Sequence, residues 1–224
     1  MSIEAQELLR DDLEIKTALI TVYDKTDIIP FSKALHDFGV RLITTGKTFG
    51  VLSAAGIPVI PLTAVAPFPE MLDGRVKTLQ PQIFGGILAN KAVPAHLAKL
   101  MEHNIGTIDM VVCNFYPFEM VAAREGASLA ELLENIDIGG PSLVRSAVKN
   151  HGSVCVVPKP VCYPALLDAM RQQDGRVPYS IRAEFAEMAL KIVKDYETAI
   201  HGALSPILSR ESAAMPRLTR SKML

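Results

Sequence analysis

Apolar and polar positions fall into blocks along this chain. Four short stretches are dense in apolar, β-branched residues: 17–22 (TALITV), 40–44 (VRLIT), 110–113 (MVVC) and 153–157 (SVCVV). Runs without alternation predict strands buried on both faces, which is the pattern of a parallel sheet covered by helices. Between them the spacing changes to a helical period. FSKALHDFG puts Phe31, Leu35 and Phe38 on one face and stops at Gly39, a natural residue just past a helix end. TFGVLSAAG repeats the device and stops at Gly56. From Pro178 onward, YSIRAEFAEMALKIVKDYETAIHGAL predicts a long amphipathic helix, followed by a polar, basic and frayed tail. The fold class expected is α/β: a single domain with a parallel sheet flanked by helices. Its expected bounds are an extension over 1–15, the domain over 16–205 and a tail over 206–224.

In an open parallel sheet, ligands bind outside the carboxyl ends of the strands, where helix N-termini present free N–H groups. The residues at those places are polar, small or cationic: Tyr23-Asp24-Lys25-Thr26, Thr44-Thr45-Gly46-Lys47-Thr48 and Asn114-Phe115-Tyr116. The second could hold a phosphate, although a simple helix cap explains Thr44 or Thr45 equally well. Lys25 adds a second cation at the same edge. Two further stretches read as site loops. FPEMLDGRVKTLQPQIFGGIL (68–88) suits a loop better than a helix and carries Arg75, Lys77 and Thr78. NIDIGGPSLVRSAVKNH (135–151) opens on Asp137, Gly139, Gly140 and Pro141, then runs into a helix with Arg145 and Lys149 at i, i+4. The four cations of these loops could be no more than a solvated positive face. The carboxylates Glu70 and Asp137 in the same segments favour mixed charge clusters instead.

Bulk properties narrow the function. With 224 residues, 49% of them hydrophobic, the chain can bury a sizeable core, and a formal net charge of −1 provides no diffuse field for nucleic acid. A small anion is the expected partner. Three cysteines without a CxxC spacing predict reduced thiols, and the opening MSIEAQELLRDDLEI has no apolar leader. The apolar runs are far short of a membrane span, so a cytoplasmic protein is expected. The five histidines show no HxxxH or HxH pair, which predicts no metal site, and GxSxG, GxxxxGK[ST] and GxGxxG are all missing.

Taken together, VYDKT (22–26), TTGKT, FPEMLDGRVKTL, NFYPF (114–118) and NIDIGGPSLVRSAVKNH resemble the IMP cyclohydrolase domain of bifunctional purine biosynthesis proteins. The resemblance runs from about Lys16 to about Leu204. It implies a methylglyoxal-synthase-like fold and closure of 5-formamidoimidazole-4-carboxamide ribonucleotide to IMP with loss of water. Position by position, it implies that Lys25 and the loop Thr44, Thr45, Gly46, Lys47, Thr48 hold the phosphate, while Arg75, Lys77 and Thr78 contact the nucleotide and its reacting groups. Asn114, Tyr116, Asp137 and Lys149 would complete the pocket, with Lys77, Tyr116, Asp137 and Lys149 handling protons and Gly139, Gly140 and Arg145 as further substrate contacts. No cofactor is implied. A homodimer and a separate formyltransferase are the implied partners, since the chain is read as standing alone.

The sequence departs from the family pattern in places. Gln80 and Phe84 stand where the family reads TLHP-x-x-HGG, Lys47 stands in a loop that reads S-TGGT, and Asp27 replaces the glycine of DKTG. These departures keep two other readings open: a paralogue closing a related ring on a modified nucleotide, such as a pyrazole C-nucleoside of an antibiotic pathway, and a non-catalytic nucleotide sensor.

Overall fold

The computed structural model describes residues 8–214, so the first half of the expected extension and the last part of the expected tail lie outside the described residues. Contacts divide the chain into two compact units. The larger comprises 8–115 and 137–193, the smaller 116–136 and 194–214 among the described residues.

The larger unit is an α/β fold. Its strands are β1 (Leu13–Glu14), β2 (Thr17–Val22), β3 (Arg41–Thr44), β4 (Ile60–Pro61), β5 (Met110–Asn114), β6 (Cys155–Val157) and β7 (Arg176–Val177). Five of them form a parallel sheet in the order β4-β3-β2-β5-β6, and β1 pairs antiparallel with β7. Leu13 of β1 is buried, so the stretch expected as an extension contributes a strand. β2 is central because both its faces are closed: Ala18, Leu19 and Ile20 are fully buried, as are Met110, Val111 and Val112 beside them. Register then fixes the edge that matters. Thr44 pairs with Ile20 and Asn114 with Val22, so the polar ends of β3 and β5 flank the end of β2.

The helices of this unit are α1 (Ile28–Asp37), α2 (Gly46–Ala54), α3 (Pro81–Leu88) and α4 (Pro94–Glu102). α5 (Phe118–Ala122) and α6 (Leu129–Glu134) belong to the smaller unit, then α7 (Gly139–Lys149) and α8 (Tyr163–Gln172) return to the larger one. α9 (Tyr179–Ala214) contributes 179–193 to the larger unit and its remainder to the smaller. It continues through Pro206, so 206–214, expected as tail, is helical. α1 buries Ile28, Phe31 and Leu35, and α7 buries Leu143, Val144 and Ala147. Each such side chain contributes roughly 1.5–3 kcal/mol on burial, less for alanine. α1 begins at Asp27 in the left-handed region (φ 54), which accounts for glycine in the family pattern at that place.

One expectation fails within 68–88: Pro81–Leu88 is helix, with Pro81 in its first turn. Gly86, inside this helix, is a packing residue. A Cβ there would lie 2.6 Å from the carbonyl oxygen of Gly106. In the smaller unit α6 opens on a full capping box, with Ser128 and Glu131 each bonding the other's backbone N–H. No described helix is long and apolar enough to cross a membrane. The three cysteines are free and buried.

Candidate active site

At the carboxyl edge of the sheet, several loops meet. α2 begins at Gly46 (φ +47) directly after β3, so its first N–H groups face outward from the sheet edge. Thr45 Oγ1 donates to Thr21 Oγ1 at 3.0 Å and Thr48 Oγ1 to the Val22 carbonyl at 3.2 Å, which fastens this loop to β2. Thr44 is fully buried, and its Oγ1 has no hydrogen-bond partner among the described residues. Lys47 is exposed on the first turn of α2, where a positive charge opposes the helix dipole unless an anion is present.

The other expected cations divide. Lys77 reaches the loop: its Nζ lies 3.0 Å from where a Cβ on Gly46 would be, and 2.7 Å from Glu70 Oε2. Lys25 folds back, donating to the carbonyls of Val22 and Tyr23 at 3.1 Å each. Arg75 is exposed on the loop before Lys77. Arg145 is exposed on the solvent side of α7. Lys149 is not brought to Asp137 within the chain. Ten residues along α7 carry it about 15 Å from Gly139. It ends beside Leu8, Leu9, Leu88, Asn90 and Ser153, lining a cavity of about 190 Å³ near the amino end of β6. The i, i+4 spacing with Arg145 was legible, but position along the axis decides which edge a helical residue serves.

Asp137 is placed by the start of α7. Its Oδ1 accepts the Gly140 N–H at 2.8 Å, and the Gly139 N–H also stabilises the carboxylate. These two glycines therefore hold Asp137 rather than leaving both N–H groups free for a ligand. Glycine is required at 140, since a Cβ would meet Asp137 Oδ2 at 2.7 Å and Phe115 at 2.9 Å. A Cβ on Gly139 would meet Thr78 Oγ1 at 2.8 Å, so the RVKT loop and the start of α7 are in contact. Burial pushes the Asp137 carboxyl above its ordinary value, against the opposing pull of the Gly140 and Gly139 N–H groups. Cys113, buried beneath, donates to the Gly140 carbonyl, and its thiol is pushed well up, first by burial and then by Asp137.

Asn114 serves as a brace. Its Oδ1 accepts from the N–H groups of Tyr23 and Asp24 at 2.7 and 2.8 Å, and its Nδ2 donates to the Asp24 carbonyl at 3.1 Å. Tyr116 is the first residue of the smaller unit and is half-buried. Gln80, one of the departures, is buried. Its Nε2 donates to the carbonyls of Lys77 at 2.7 Å and Phe68 at 3.2 Å, while Phe84 packs on the core. Glu70, read from the sequence as part of a mixed charge cluster, and Gln80, read as a departure from the family pattern, both contribute to the site. The partners of Gln80 were not legible, since one is a backbone carbonyl twelve residues away.

Comparison with known proteins agrees with this architecture. The family model for an MGS-like domain matches residues 27–142, and that for the AICARFT/IMPCHase bienzyme matches residues 147–223. The bifunctional purine biosynthesis protein PurH of Polynucleobacter necessarius subsp. necessarius (strain STIR1) is 44% identical over 193 residues, which are 86% of this chain and 37% of that protein. The chain therefore spans little more than a third of the length of this curated relative. A crystal structure of ForH superposes with a TM-score of 0.74 at 32% identity, covering 83% of this chain and 97% of that one. The parallel five-stranded sheet, the two family matches and these relatives lead to one conclusion: the chain belongs to the MGS-like family as an IMP cyclohydrolase-type domain.

Proposed function

We propose that this domain closes the pyrimidine ring of 5-formamidoimidazole-4-carboxamide ribonucleotide, giving IMP and water. The observation that carries the reading is the meeting, on one sheet edge, of an anion-type cradle, a cation and a half-buried carboxylate whose proton affinity is raised. The start of α2, with the buried Thr44 hydroxyl behind it, suits the 5′-phosphate. Lys25 and Lys47 add positive field at the same edge.

The chemistry needs a proton acceptor and a donor. A carboxamide nitrogen is a weak nucleophile, so its attack on the formyl carbon is assisted by a group that takes its proton. Asp137 fits this role, because a carboxylate with raised proton affinity is a stronger base than an exposed one. As the carbon becomes tetrahedral, charge develops on the former formyl oxygen. The Lys77 ammonium, with the Thr78 hydroxyl next along the chain, stabilises that charge and supplies a proton as the oxygen leaves as water. As the C–O bond breaks, the formamide nitrogen gives up its hydrogen and forms the C=N bond. Its proton and the carboxamide proton, taken by Asp137 and returned to Lys77, together supply the hydrogens of the water. Because the attack is intramolecular, the domain's main task is to hold the reacting conformer.

The deciding experiment is incubation of the purified chain with the formylated imidazole nucleotide while purine absorbance is followed. We expect turnover of roughly 1 per second or faster. Much slower turnover with tight IMP binding retained would move the assignment to a related ring on a modified nucleotide, and binding without any turnover would support a sensor. Gln80 and Phe84 give the modified-ring reading no added support, since the first closes a loop and the second packs on the core.

A further inference from the structure

Lys77 is held at both ends of its length. At the backbone, its carbonyl accepts a 2.7 Å hydrogen bond from Gln80 Nε2, and the other hydrogen of that amide goes to the Phe68 carbonyl at 3.2 Å. Gln80 is 5% exposed, so this bond competes with little water. At the tip, Lys77 Nζ meets Glu70 Oε2 at 2.7 Å, with the two side chains 32% and 48% exposed. Two left-handed glycines make room for the pair. A Cβ on Gly74 (φ +92) would lie 2.9 Å from Glu70 Oε1, and one on Gly46 (φ +47) would lie 3.0 Å from Lys77 Nζ.

Fold stability alone does not explain the ion pair. Half-exposed ion pairs contribute little. Gln80 leaves its own Oε1 buried without a partner among the described residues, which is a standing cost. What the two contacts do achieve is to remove freedom from a long, flexible cation at the site. A free lysine samples many rotamers, whereas this one is preset against the first residue of α2.

We propose that Glu70 and Gln80 are positioning residues for Lys77, the carboxylate fixing its ammonium and the buried amide fixing its backbone. The inference rests on the reading of Lys77 as the working cation of the ring closure. In this role each acts through Lys77, which both of them contact.

The test is a double-mutant cycle on the whole chain, read as turnover of the formylated imidazole nucleotide, binding of IMP and thermal melting. Glu70→Gln and Gln80→Leu are each expected to lower kcat/KM about tenfold, on the order of what freeing one lysine side chain costs a single contact. Glu70→Asp keeps the charge but withdraws the reach, and should lose as much as Glu70→Gln. In a Lys77→Met background neither change should matter further, because nothing is left to position. The wild type is expected to show slowly exchanging Lys77 ammonium protons by ¹H–¹⁵N NMR, and these should disappear in Glu70→Gln while the melting temperature stays close to wild type. Should Gln80→Leu fail to fold, Gln80→His, which retains one donor, is expected to keep most of the activity and serves in its place. Losses that persist in the Lys77→Met background overturn the inference, as does tighter IMP binding in Glu70→Gln, which would make Glu70 a competitor of the ligand. Full activity of Lys77→Met would overturn the role of Lys77 itself. A large loss there, with no effect of the other two changes, would overturn the positioning role alone.

Discussion

At the scale of single residues, Asp137 carries the clearest opposition between stability and chemistry. Its carboxyl is raised, so the folded state prefers the protonated form. That contribution to stability is complete below the unfolded-state value and is lost as pH rises through the folded one. Asp137→Asn keeps an oxygen for the Gly140 N–H and removes the half-buried charge. We expect it to melt no lower than wild type at neutral pH, while losing at least about 100-fold in kcat, a usual contribution of a general base. The wild-type activity should fall on the acid side through a group titrating above the ordinary aspartate value of about 3.9, and this limb should vanish from the residual activity of the variant. A melting temperature that falls in step with activity would make Asp137 structural. Much of this residue was legible in advance, because an aspartate two residues before paired glycines reads as a helix start. What the sequence did not disclose is how the glycines' N–H groups are used. Nor could it show that Asn114 is consumed in bracing 23–24, since an asparagine after a strand suits a brace and a ligand contact equally.

Among the elements, the long apolar strands were the most readable and the shortest the least. β2 matches its sequence run residue for residue, and β3, β5 and β6 differ from theirs only at the ends. The two-residue strands β1, β4 and β7 have too few positions to display a period. α3 was hidden by its glycines, which lower helix propensity but are tolerated where another backbone comes close. Gly85 and Gly86 give a paired test of that explanation. Gly86→Ala would press a methyl against the Gly106 carbonyl at 2.6 Å and should cost about 1–3 kcal/mol in urea unfolding. At Gly85 the nearest atoms are side-chain carbons of Leu100 and Ile105 at 3.4–3.7 Å. Gly85→Ala should therefore be neutral, or gain up to about 1 kcal/mol from helix propensity. Equal effects at the two positions would refute the packing account. α7 shows the complementary lesson. Its periodicity was correct, yet Lys149 sits at the wrong end for Asp137, because a helix transmits position along its axis as well as around it.

For the molecule as a whole, one buried cation draws remote segments together. Arg182 is fully buried and donates to the carbonyls of Leu9, Asp11, His151, Gly152 and Val177, while its guanidinium lies 5.4 Å from the Tyr179 ring centre. Burial lowers its proton affinity from the ordinary arginine value, yet the carbonyls and the aromatic face leave it well solvated by protein. Nothing in the sequence set this arginine apart, since its partners are backbone atoms and backbone carries no residue code. Arg182→Met would leave several buried carbonyls without donors, and we expect a loss of at least about 3 kcal/mol, read as a fall in the urea midpoint. A variant within about 1 kcal/mol of wild type would show that water replaces the guanidinium there.

The strand order has one more consequence, and it concerns synthesis on the ribosome. β2 lies at the centre of the sheet, but its neighbour β5 follows it by 92 residues, from Val22 to Asn114. At roughly 5–20 residues per second of translation, the central strand of the sheet waits about 5–20 s before this partner is made. A nascent chain of this kind can cover β2 with β3 and with α2, but the edge that β5 will pair stays open. The same parallel order that gathers the site on one edge thus leaves one side of β2 open to holdase chaperones while those residues are made.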